Sequence, residues 1–207
     1  MYYCRPERAG DEAAIHEVNA EAFPTAAEAR LVDALRAAGR LAVSIVASDS
    51  QGVVGHIAFS PVTAGGMQGL GLAPLAVREM HRRRGVAAML VREGLAACGS
   101  LGSGFVVVLG DPAYYARFGF APAVESGLGN EYGVRDEFMV LALRPPAARF
   151  DRALCAGIRA ALRRRQIAVL ASVAWISRPN AASLSSGSPP SIATRCVSVF
   201  TCARTAA

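Results

Sequence analysis

Hydrophobic and polar residues follow two different rhythms along the first 143 residues of the chain. Apolar residues three or four positions apart, which share one face of a helix, occur in two segments near the start and again after a run of three arginines. Short alternating or continuous apolar runs, which are typical of strands, fill the intervals between these segments. The pattern predicts helices over residues 12–22, 26–38 and about 84–97, a short helix after residue 111, and strands over 41–48, 53–62, 70–77, 105–110 and 137–143.

Residues at the ends of these segments support the predicted boundaries. Asp11 and Asp111 each stand where a carboxylate would cap the first turn of a helix, and Pro112 suits the first helical position. Turn residues at 49–52 join the first two strands into a hairpin. The run FVVVLG at 105–110 is apolar throughout, as expected of a strand covered on both faces. These segments predict an α/β domain.

Charge and composition change abruptly after residue 145. The chain of 207 residues has a formal net charge of +6, but residues 1–143 hold 12 Arg against 15 Asp and Glu, whereas residues 144–207 hold 10 Arg against a single Asp. The domain, placed at residues 1–145, is therefore net acidic, which argues against a nucleic-acid partner. Residues 146–207 are predicted to be an appendage without catalytic role, with a basic amphipathic helix at 149–165 and a disordered Ser/Pro/Ala-rich stretch beyond it. Contact of this tail with a membrane surface or a partner is left open, as is a homodimer.

Several classes of protein are disfavoured by what the sequence contains. The five cysteines are scattered, without a C-x-x-C pair or a histidine at zinc spacing, so neither a disulfide framework nor a metal site is expected. The N-terminal residues turn charged too early for a secretory signal. The longest apolar run, residues 167–176, is half of the ~20 residues that a membrane-spanning helix needs. We therefore expect a soluble, cytoplasmic protein.

The stretch HRRRGVAAML, residues 81–90, has two interpretations: a phosphate-binding site or a solvated basic helix start. Three arginines, a glycine and then an apolar helix are arranged as in an anion site at a helix N-terminus, where unpaired N–H groups and the helix dipole favour a phosphate. Gly85 would let the phosphate approach the backbone closely, and Ala87 keeps the next turn small. A solvated basic helix start would have the same sequence, so this stretch alone leaves both interpretations open.

The wider context resembles the GNAT superfamily of acyl-CoA-dependent N-acyltransferases. The segment PLAV-x₄-RRRGVA is followed some thirty residues later by YYARFGF, and the resemblance covers residues 1–143. The segments GHIAFSPV and GDPAYYARFGF resemble those of the bacterial branch of small N-acetyltransferases. The resemblance implies a mixed, mostly antiparallel central sheet flanked by helices. It also implies transfer of an acetyl group from acetyl-CoA to a primary amine, on a small molecule or a peptide, by direct attack and without a metal.

The resemblance also assigns the cofactor site. The family segment (Q/R)-x-x-G-x-(G/A), which holds the pyrophosphate of coenzyme A, falls on Arg82–Ala87, and the preceding strand would pair its backbone with the pantetheine arm. Tyr114, which lies about 100° around the short helix from Tyr115, would pack or line the site. The assigned residues are Leu75, Ala76, Val77, Arg82, Arg83, Arg84, Gly85, Val86, Ala87, Ala88 and Tyr114.

Three residues are candidates for the catalytic chemistry. A hydroxyl donor must neutralise the departing sulfur, and in related enzymes it is often the tyrosine four residues before the glycine of Y-x-x-x-G-F, here Tyr115. The amine must lose a proton, for which Glu28 and His56 are candidates; His56 has the more suitable intrinsic pKa. Each also has a structural interpretation. Tyr115 could serve aromatic packing, Glu28 could be a charge favoured in the first turn of a helix, and His56 could be a buried, hydrogen-bonded histidine. A sensor that binds CoA without turnover, or an enzyme with another acyl-CoA or acceptor, remains an alternative.

Overall fold

The computed structural model describes residues 1–64, 67–130 and 133–143, so the predicted tail helix and the Ser/Pro/Ala-rich stretch lie outside the described residues. The described helices are α1 (Glu12–Ala22), α2 (Ala27–Ala37), α3 (Val86–Ser100) and α4 (Pro112–Tyr115), with single 3₁₀ turns at Glu79–His81, Ala116–Phe118 and Ala123–Ser126. The described strands are β1 (Tyr3–Pro6), β2 (Val43–Asp49), β3 (Gly52–Ala64), β4 (Met67–Val77), β5 (Phe105–Leu109), β6 (Ala121–Pro122) and β7 (Phe138–Ala142). Among these helices, none combines the length and the apolar character needed to cross a membrane.

The strands form one sheet in the order β1-β2-β3-β4-β5-β7-β6. The β4–β5 pair is parallel, and the other neighbouring strands are antiparallel. A parallel pair needs a crossover connection, and α3 supplies it between β4 and β5. The prediction of a mixed, mostly antiparallel sheet flanked by helices is therefore confirmed.

Helices cover both faces of the sheet. Leu90 of α3 packs in one buried cluster with Phe59 of β3. Ile15 of α1 and Val32 of α2 pack in another with Val46 of β2. Each large apolar side chain buried in this way stabilises the fold by roughly 1.5–3 kcal/mol relative to an exposed one.

Strand β5 is buried on both faces, as its continuous apolar sequence predicted. Val106 and Val108 belong to the cluster that includes α3, whereas Val107 and Leu109 belong to a third cluster with Phe138. Alternate residues of a strand point to opposite faces, so both faces of β5 are covered. Strand β5 is therefore held by packing on both faces, next to the opening between β4 and β5.

The sheet opens between β4 and β5. These strands pair only from Leu70 with Val106 to Leu72 with Val108, but β4 continues to Val77. On its other edge β4 stays paired with β3, through a register shift between Ile57 and Phe59. The last five residues of β4 (73–77) therefore lack a strand partner on the β5 side.

The sequence predicted most element boundaries to within a few residues, but it missed the short strands β1 and β6 and misjudged one cap. The carboxylate of Asp11 accepts hydrogen bonds from Arg5 and from the Arg8 N–H at 2.8 Å, and it makes no side-chain cap to α1. The predicted cap by Asp11 is wrong because the nearby arginine and the preceding loop compete for the carboxylate. The predicted cap by Asp111 is confirmed, since its Oδ1 accepts the Ala113 N–H at 2.9 Å.

Candidate active site

The free edge of β4 presents backbone groups in alternation. The Arg78 N–H donates to Val54 O at 2.9 Å, which makes Arg78 and Val54 a hydrogen-bonded pair of the β3–β4 ladder. Hydrogen-bonded pairs alternate along an antiparallel ladder, so Ala76 also directs its N–H and C=O at β3. Leu75 and Val77 direct theirs away from β3, into the opening. Of the three residues predicted to pair with a ligand, these two therefore offer backbone groups to it.

The N-terminus of α3 lies just beyond this edge and begins at a left-handed residue. Gly85 has φ +83°, and a Cβ built on it would meet no heavy atom within 4 Å. The first hydrogen bond of α3 runs from the Met89 N–H to Gly85 O at 3.0 Å. The N–H groups of Val86, Ala87 and Ala88 precede it and have no acceptor within the helix. Open space and unpaired N–H groups at a positive helix end form a cradle suited to a phosphate.

The three arginines before Gly85 differ in their surroundings. Arg83 and Arg84 are exposed, and Arg83 has φ +60°, a conformation that residues other than glycine rarely adopt. Arg82 instead donates from Nε to Val77 O and from Nη2 to Ala22 O, both at 3.1 Å. The charge of Arg82 thus lies near the cradle, but its guanidinium holds the end of β4 and the end of α1.

Tyr115 is the last residue of α4, the short helix that follows β5, and is 1% exposed. Its ring rests against Gly110, directly after β5: a Cβ at Gly110 would come within 2.4 Å of Tyr115 Cε2, so only glycine fits there. The Tyr115 hydroxyl is buried and has no hydrogen-bond partner among the described residues. Burial raises the pKa of Tyr115, and the neighbouring Tyr114 adds to the effect. The hydroxyl therefore stays protonated and has its donor free, as a general acid requires.

Tyr114 packs beside Tyr115 within a cluster of aromatic rings and guanidinium groups. The two tyrosine rings meet edge to face with centroids 5.1 Å apart, and Arg117 Cζ lies 4.3 Å from the Tyr114 ring centroid. Burial raises the pKa of Tyr114, while the charges of Arg117 and Arg92 oppose that shift. These contacts fix the orientation of α4; a contact of Tyr114 with a cofactor stays a prediction.

Glu28 lies in the first turn of α2, close to the loop that follows α1. Its Oε2 atom is buried and has no hydrogen-bond partner among the described residues. Burial raises the pKa of the Glu28 carboxyl, against smaller opposing effects of its own backbone N–H and of Arg30. A carboxylate made more basic by partial burial, with an oxygen left unsatisfied, has the properties of a general base.

His56 is fully buried, and both of its ring nitrogens have partners. Asn19 Nδ2, which also donates to Ile15 O, lies 3.0 Å from His56 Nδ1, so Nδ1 is the acceptor. His56 Nε2 then carries the proton and donates to Ser44 Oγ at 3.0 Å. Burial, helped by the charge of Arg36, lowers the pKa of His56 to about 3. These contacts favour a structural role for His56, and of the two predicted bases Glu28 has the more suitable surroundings.

The partners of His56 were not recognised in the sequence. Ser44 donates to Glu7, and Glu7 in turn accepts the Arg36 Nε at 2.7 Å. Asn19, 37 positions before His56, closes the other end of this chain of polar groups. Contacts between residues so far apart leave no local pattern that a single sequence could show. Within the described ranges, no three His, Cys, Asp or Glu side chains converge as a metal site would require.

Comparison with known proteins agrees with this architecture. A family model described as an acetyltransferase (GNAT) domain matches residues 40–122, a range that includes the β3–β4 hairpin, the cradle and α4. The uncharacterized N-acetyltransferase YhbS of Escherichia coli K12 is 45% identical over 129 residues, which are 60% of this chain and 77% of YhbS.

Two solved structures share the fold, and each is 38% identical in sequence to this chain. The E. coli YhbS structure, a complex with CoA, has a TM-score of 0.68 and 38% identity and covers 75% of this chain and 85% of its own. A GNAT family acetyltransferase from Brucella melitensis, a complex with acetyl-CoA, has a TM-score of 0.60 and 38% identity, with 70% and 90% covered. The open edge of β4, the α3 cradle and these relatives lead to one conclusion: the chain belongs to the GNAT family, whose members are acyl-CoA-dependent N-acyltransferases.

Proposed function

We propose that this protein transfers an acetyl group from acetyl-CoA to a primary amine, on a small molecule or a peptide, by direct attack. The observation that carries the proposal is the continuity between the open edge of β4 and the N-terminus of α3. Together they offer backbone donors and acceptors along a path that ends at unpaired N–H groups. The relatives in E. coli and B. melitensis, solved with CoA and acetyl-CoA, support the same ligand.

Backbone groups of β4 and α3 support the proposed binding of such a ligand. The N–H groups of Val86, Ala87 and Ala88 would hold the pyrophosphate, and the free space at Gly85 lets it approach the backbone. Backbone groups of Leu75 and Val77 would pair with the pantetheine arm, although Arg82 already occupies Val77 O. When bound, acetyl-CoA supplies a thioester whose acyl carbon accepts the amine nitrogen and whose sulfur departs.

Two side chains would move the protons of the reaction. The Tyr115 hydroxyl, protonated and without a partner, donates its proton to the departing sulfur. The amine attacks in its neutral form, and the Glu28 carboxylate, directly or through one water, accepts the proton that its nitrogen loses as the bond to the acyl carbon forms. The nitrogen–carbon bond forms, the carbon–sulfur bond breaks, and the two proton transfers keep the charges balanced.

Release of free thiol from acetyl-CoA across a panel of amines tests the proposal. The panel should include amino acids, polyamines, aminoglycosides and peptides with free N-termini or lysines. Amine-dependent release above the rate without amine is the expected result, and mass spectrometry should find the acetyl group on nitrogen. Propionyl-CoA and longer acyl-CoA donors, run in parallel, report the chain length that the site accepts.

The alternative of a sensor without turnover gives a different result. A sensor would bind CoA in titration calorimetry, yet no amine in the panel would accelerate thiol release. Absence of CoA binding would contradict both the enzyme and the sensor. Turnover with an alcohol and not with an amine would contradict the N-acetyltransferase while preserving the cradle.

A further inference from the structure

The last turn of α1 is tied to the segment that follows β4 by hydrogen bonds outside the regular ladders. Glu21 Oε2 accepts Arg78 Nη1 at 2.6 Å, and Glu21 Oε1 accepts the Glu79 N–H at 3.0 Å. Arg82 Nη2 donates to Ala22 O at 3.1 Å. One carboxylate therefore holds both a side chain and a backbone group of the opposite segment. We call Glu21, Ala22, Arg78, Glu79 and Arg82 the clasp.

Both arginines of the clasp also reach the sheet. Arg78 Nε donates to Val53 O, and Arg82 Nε donates to Val77 O, each at 3.1 Å. A guanidinium group is planar and rigid, so a movement at one of its partners is passed on to the other. The clasp therefore joins the end of α1 to the strands β3 and β4 and to the 3₁₀ turn between β4 and α3.

The clasp lies between two parts of the site. Toward α3, the turn that it holds leads directly into Arg83 and Gly85 of the cradle. Toward α2, α1 ends at Ala22, and a short loop (23–26) leads to Glu28 on the acceptor side. The hydrogen-bonded pairs of the clasp are 57, 58 and 60 positions apart along the chain, so the clasp connects parts that the sequence keeps far apart.

The carboxylate at the centre of the clasp is charged at neutral pH. Burial by itself raises the pKa of Glu21, but the hydrogen bonds from the Glu79 N–H and from Arg78 outweigh it and lower the pKa overall. Charge-assisted hydrogen bonds of this kind are stronger than those between neutral groups. Glu21 thus keeps its charge and both of its hydrogen bonds, although 37% of its side chain is exposed.

We propose that Glu21 is a positioning residue that couples the α3 cradle to the α1–α2 loop, so that binding of the acyl donor orders the acceptor side of the site. The proposal rests on the proposed function, because it takes the cradle as the site of a CoA phosphate. A phosphate held by the first N–H groups of α3 favours one arrangement of residues 82–85. Through the hydrogen bonds of the clasp, that arrangement also favours one position of Ala22 and of the loop that follows it. Coupling is reciprocal, so an ordered loop also strengthens CoA binding.

Hydrogen exchange measured by mass spectrometry tests this coupling without knowledge of the acceptor. Peptides that cover residues 19–27 are compared with and without CoA, while calorimetry measures CoA affinity in the same samples. In the unmodified protein we expect CoA to slow exchange in these peptides by about tenfold, within the range of about 5-fold to 150-fold typical of coupled sites. In Glu21→Ala the response of the loop should be lost, while CoA still binds.

Glu17→Ala is the matched control on the same helix. Glu17 also contacts Arg78, but at 3.2 Å and with 68% of its side chain exposed, and no clasp contact to Glu79 depends on it. Its loop should respond to CoA as in the unmodified protein. Glu21→Gln, which keeps an acceptor oxygen for the Glu79 N–H but removes the charge, should give an intermediate response and covers the case in which Glu21→Ala does not fold.

The outcomes separate the coupling from the proposed function. Binding of CoA without any change of exchange in residues 19–27 overturns the coupling and leaves the acetyltransferase proposal intact. A full response in Glu21→Ala, or in Glu21→Gln if only that variant folds, overturns the role of Glu21. Absence of CoA binding to the unmodified protein overturns the proposed function and the coupling with it.

Discussion

In the proposed function, the β4–α3 segment and the α1–α2 segment contribute different chemical groups to one site. The first offers backbone N–H and C=O groups at the open edge of a strand and at a helix N-terminus. The second offers a side chain, the partly buried carboxylate of Glu28. Backbone groups are present whatever the residue, provided that the chain has the required shape. A site built from backbone groups therefore restricts the sequence only where a glycine or a helix boundary is needed. In a site built from side chains, the residues themselves can change when the acceptor changes.

The largest expected effect comes from filling the backbone site. Gly85→Glu places a side chain and a negative charge where the phosphate would bind. Loss of two hydrogen bonds to a charged group, at about 2 kcal/mol each, corresponds to about a thousandfold weaker CoA binding. Calorimetry with CoA measures the effect.

A matched control isolates the cost of the left-handed backbone itself. Gly39 has φ +65°, and like Gly85 it has no heavy atom within 4 Å of a Cβ built on it. Gly39→Glu should therefore lose about as much stability as Gly85→Glu, of the order of 1 kcal/mol. It should keep the CoA affinity of the unmodified protein. Equal CoA affinity in a folded Gly85→Glu would exclude the cradle.

Tyr115→Phe tests the side chain that is proposed to protonate the departing sulfur. Removing the hydroxyl should lower kcat by about 10²–10⁴-fold and leave KM for acetyl-CoA nearly unchanged. Because the hydroxyl is buried and no described residue hydrogen-bonds to it, its removal should leave the free energy of unfolding unchanged or raise it. Urea denaturation and steady-state kinetics on the same preparation measure both quantities. Full turnover in Tyr115→Phe, or a larger loss in Tyr114→Phe, would contradict the assignment of the acid.

Glu28→Gln tests the acceptor side and should have a somewhat smaller effect. Loss of a general base predicts about a 100-fold lower kcat. Burial raises the pKa of Glu28, so the carboxylate form is lost as the pH falls through a value above the ordinary range of glutamate. The rate of the unmodified protein should therefore rise with pH across that value, and Glu28→Gln should lack this limb of the profile.

Glu12→Gln is the control for a first-turn charge outside the proposed site; Glu12 Oε2 also accepts the Gly10 N–H at 2.7 Å, a bond that a glutamine oxygen can keep. Glu12 is an exposed acidic residue in the first turn of α1, as Glu28 is an acidic residue in the first turn of α2. A contribution through the helix dipole alone is worth about 0.3–1 kcal/mol of stability and nothing in kcat. If Glu28→Gln behaves like Glu12→Gln, Glu28 is not the base.

His56→Gln should have the smallest effect on catalysis, because its effect falls on stability. The folded protein keeps His56 neutral down to about pH 3, whereas in the unfolded chain a histidine binds a proton below about pH 6.5. Stability therefore falls as the pH drops from about 6.5 toward 3, by up to about 1.4 kcal/mol per pH unit from this residue. Urea denaturation between pH 4.5 and 7 should show a shallower slope for His56→Gln. A large loss of kcat at pH 8 in the folded variant would instead restore His56 as the base.

The separation of interacting residues along the chain explains which features the sequence could predict. The start of α3, the cap by Asp111 and the doubly buried β5 depend on residues close together in the chain, and their signals are local. The sequence assigned Arg82 to the pyrophosphate segment, but it gave no sign that the Arg82 side chain donates to Ala22 O, 60 positions away. The burial of His56 depends on Asn19 and Ser44, on an earlier helix and strand. Such contacts form only when the chain is folded, and an arginine or a histidine in a single sequence does not specify its partner.

The β4–β5 pair, which is the only parallel pair among the described strands, also bears on the order in which the protein assembles. The β2–β3 and β3–β4 pairs are hairpins between neighbouring strands, whereas the β4–β5 pair joins Leu70 to Val106 across α3, 36 positions along the chain. Closing a longer loop costs more chain entropy before any contact rewards it. We therefore expect the hairpins to form first and the opening between β4 and β5 to be completed late, so that the ligand groove is shaped by the final steps of folding.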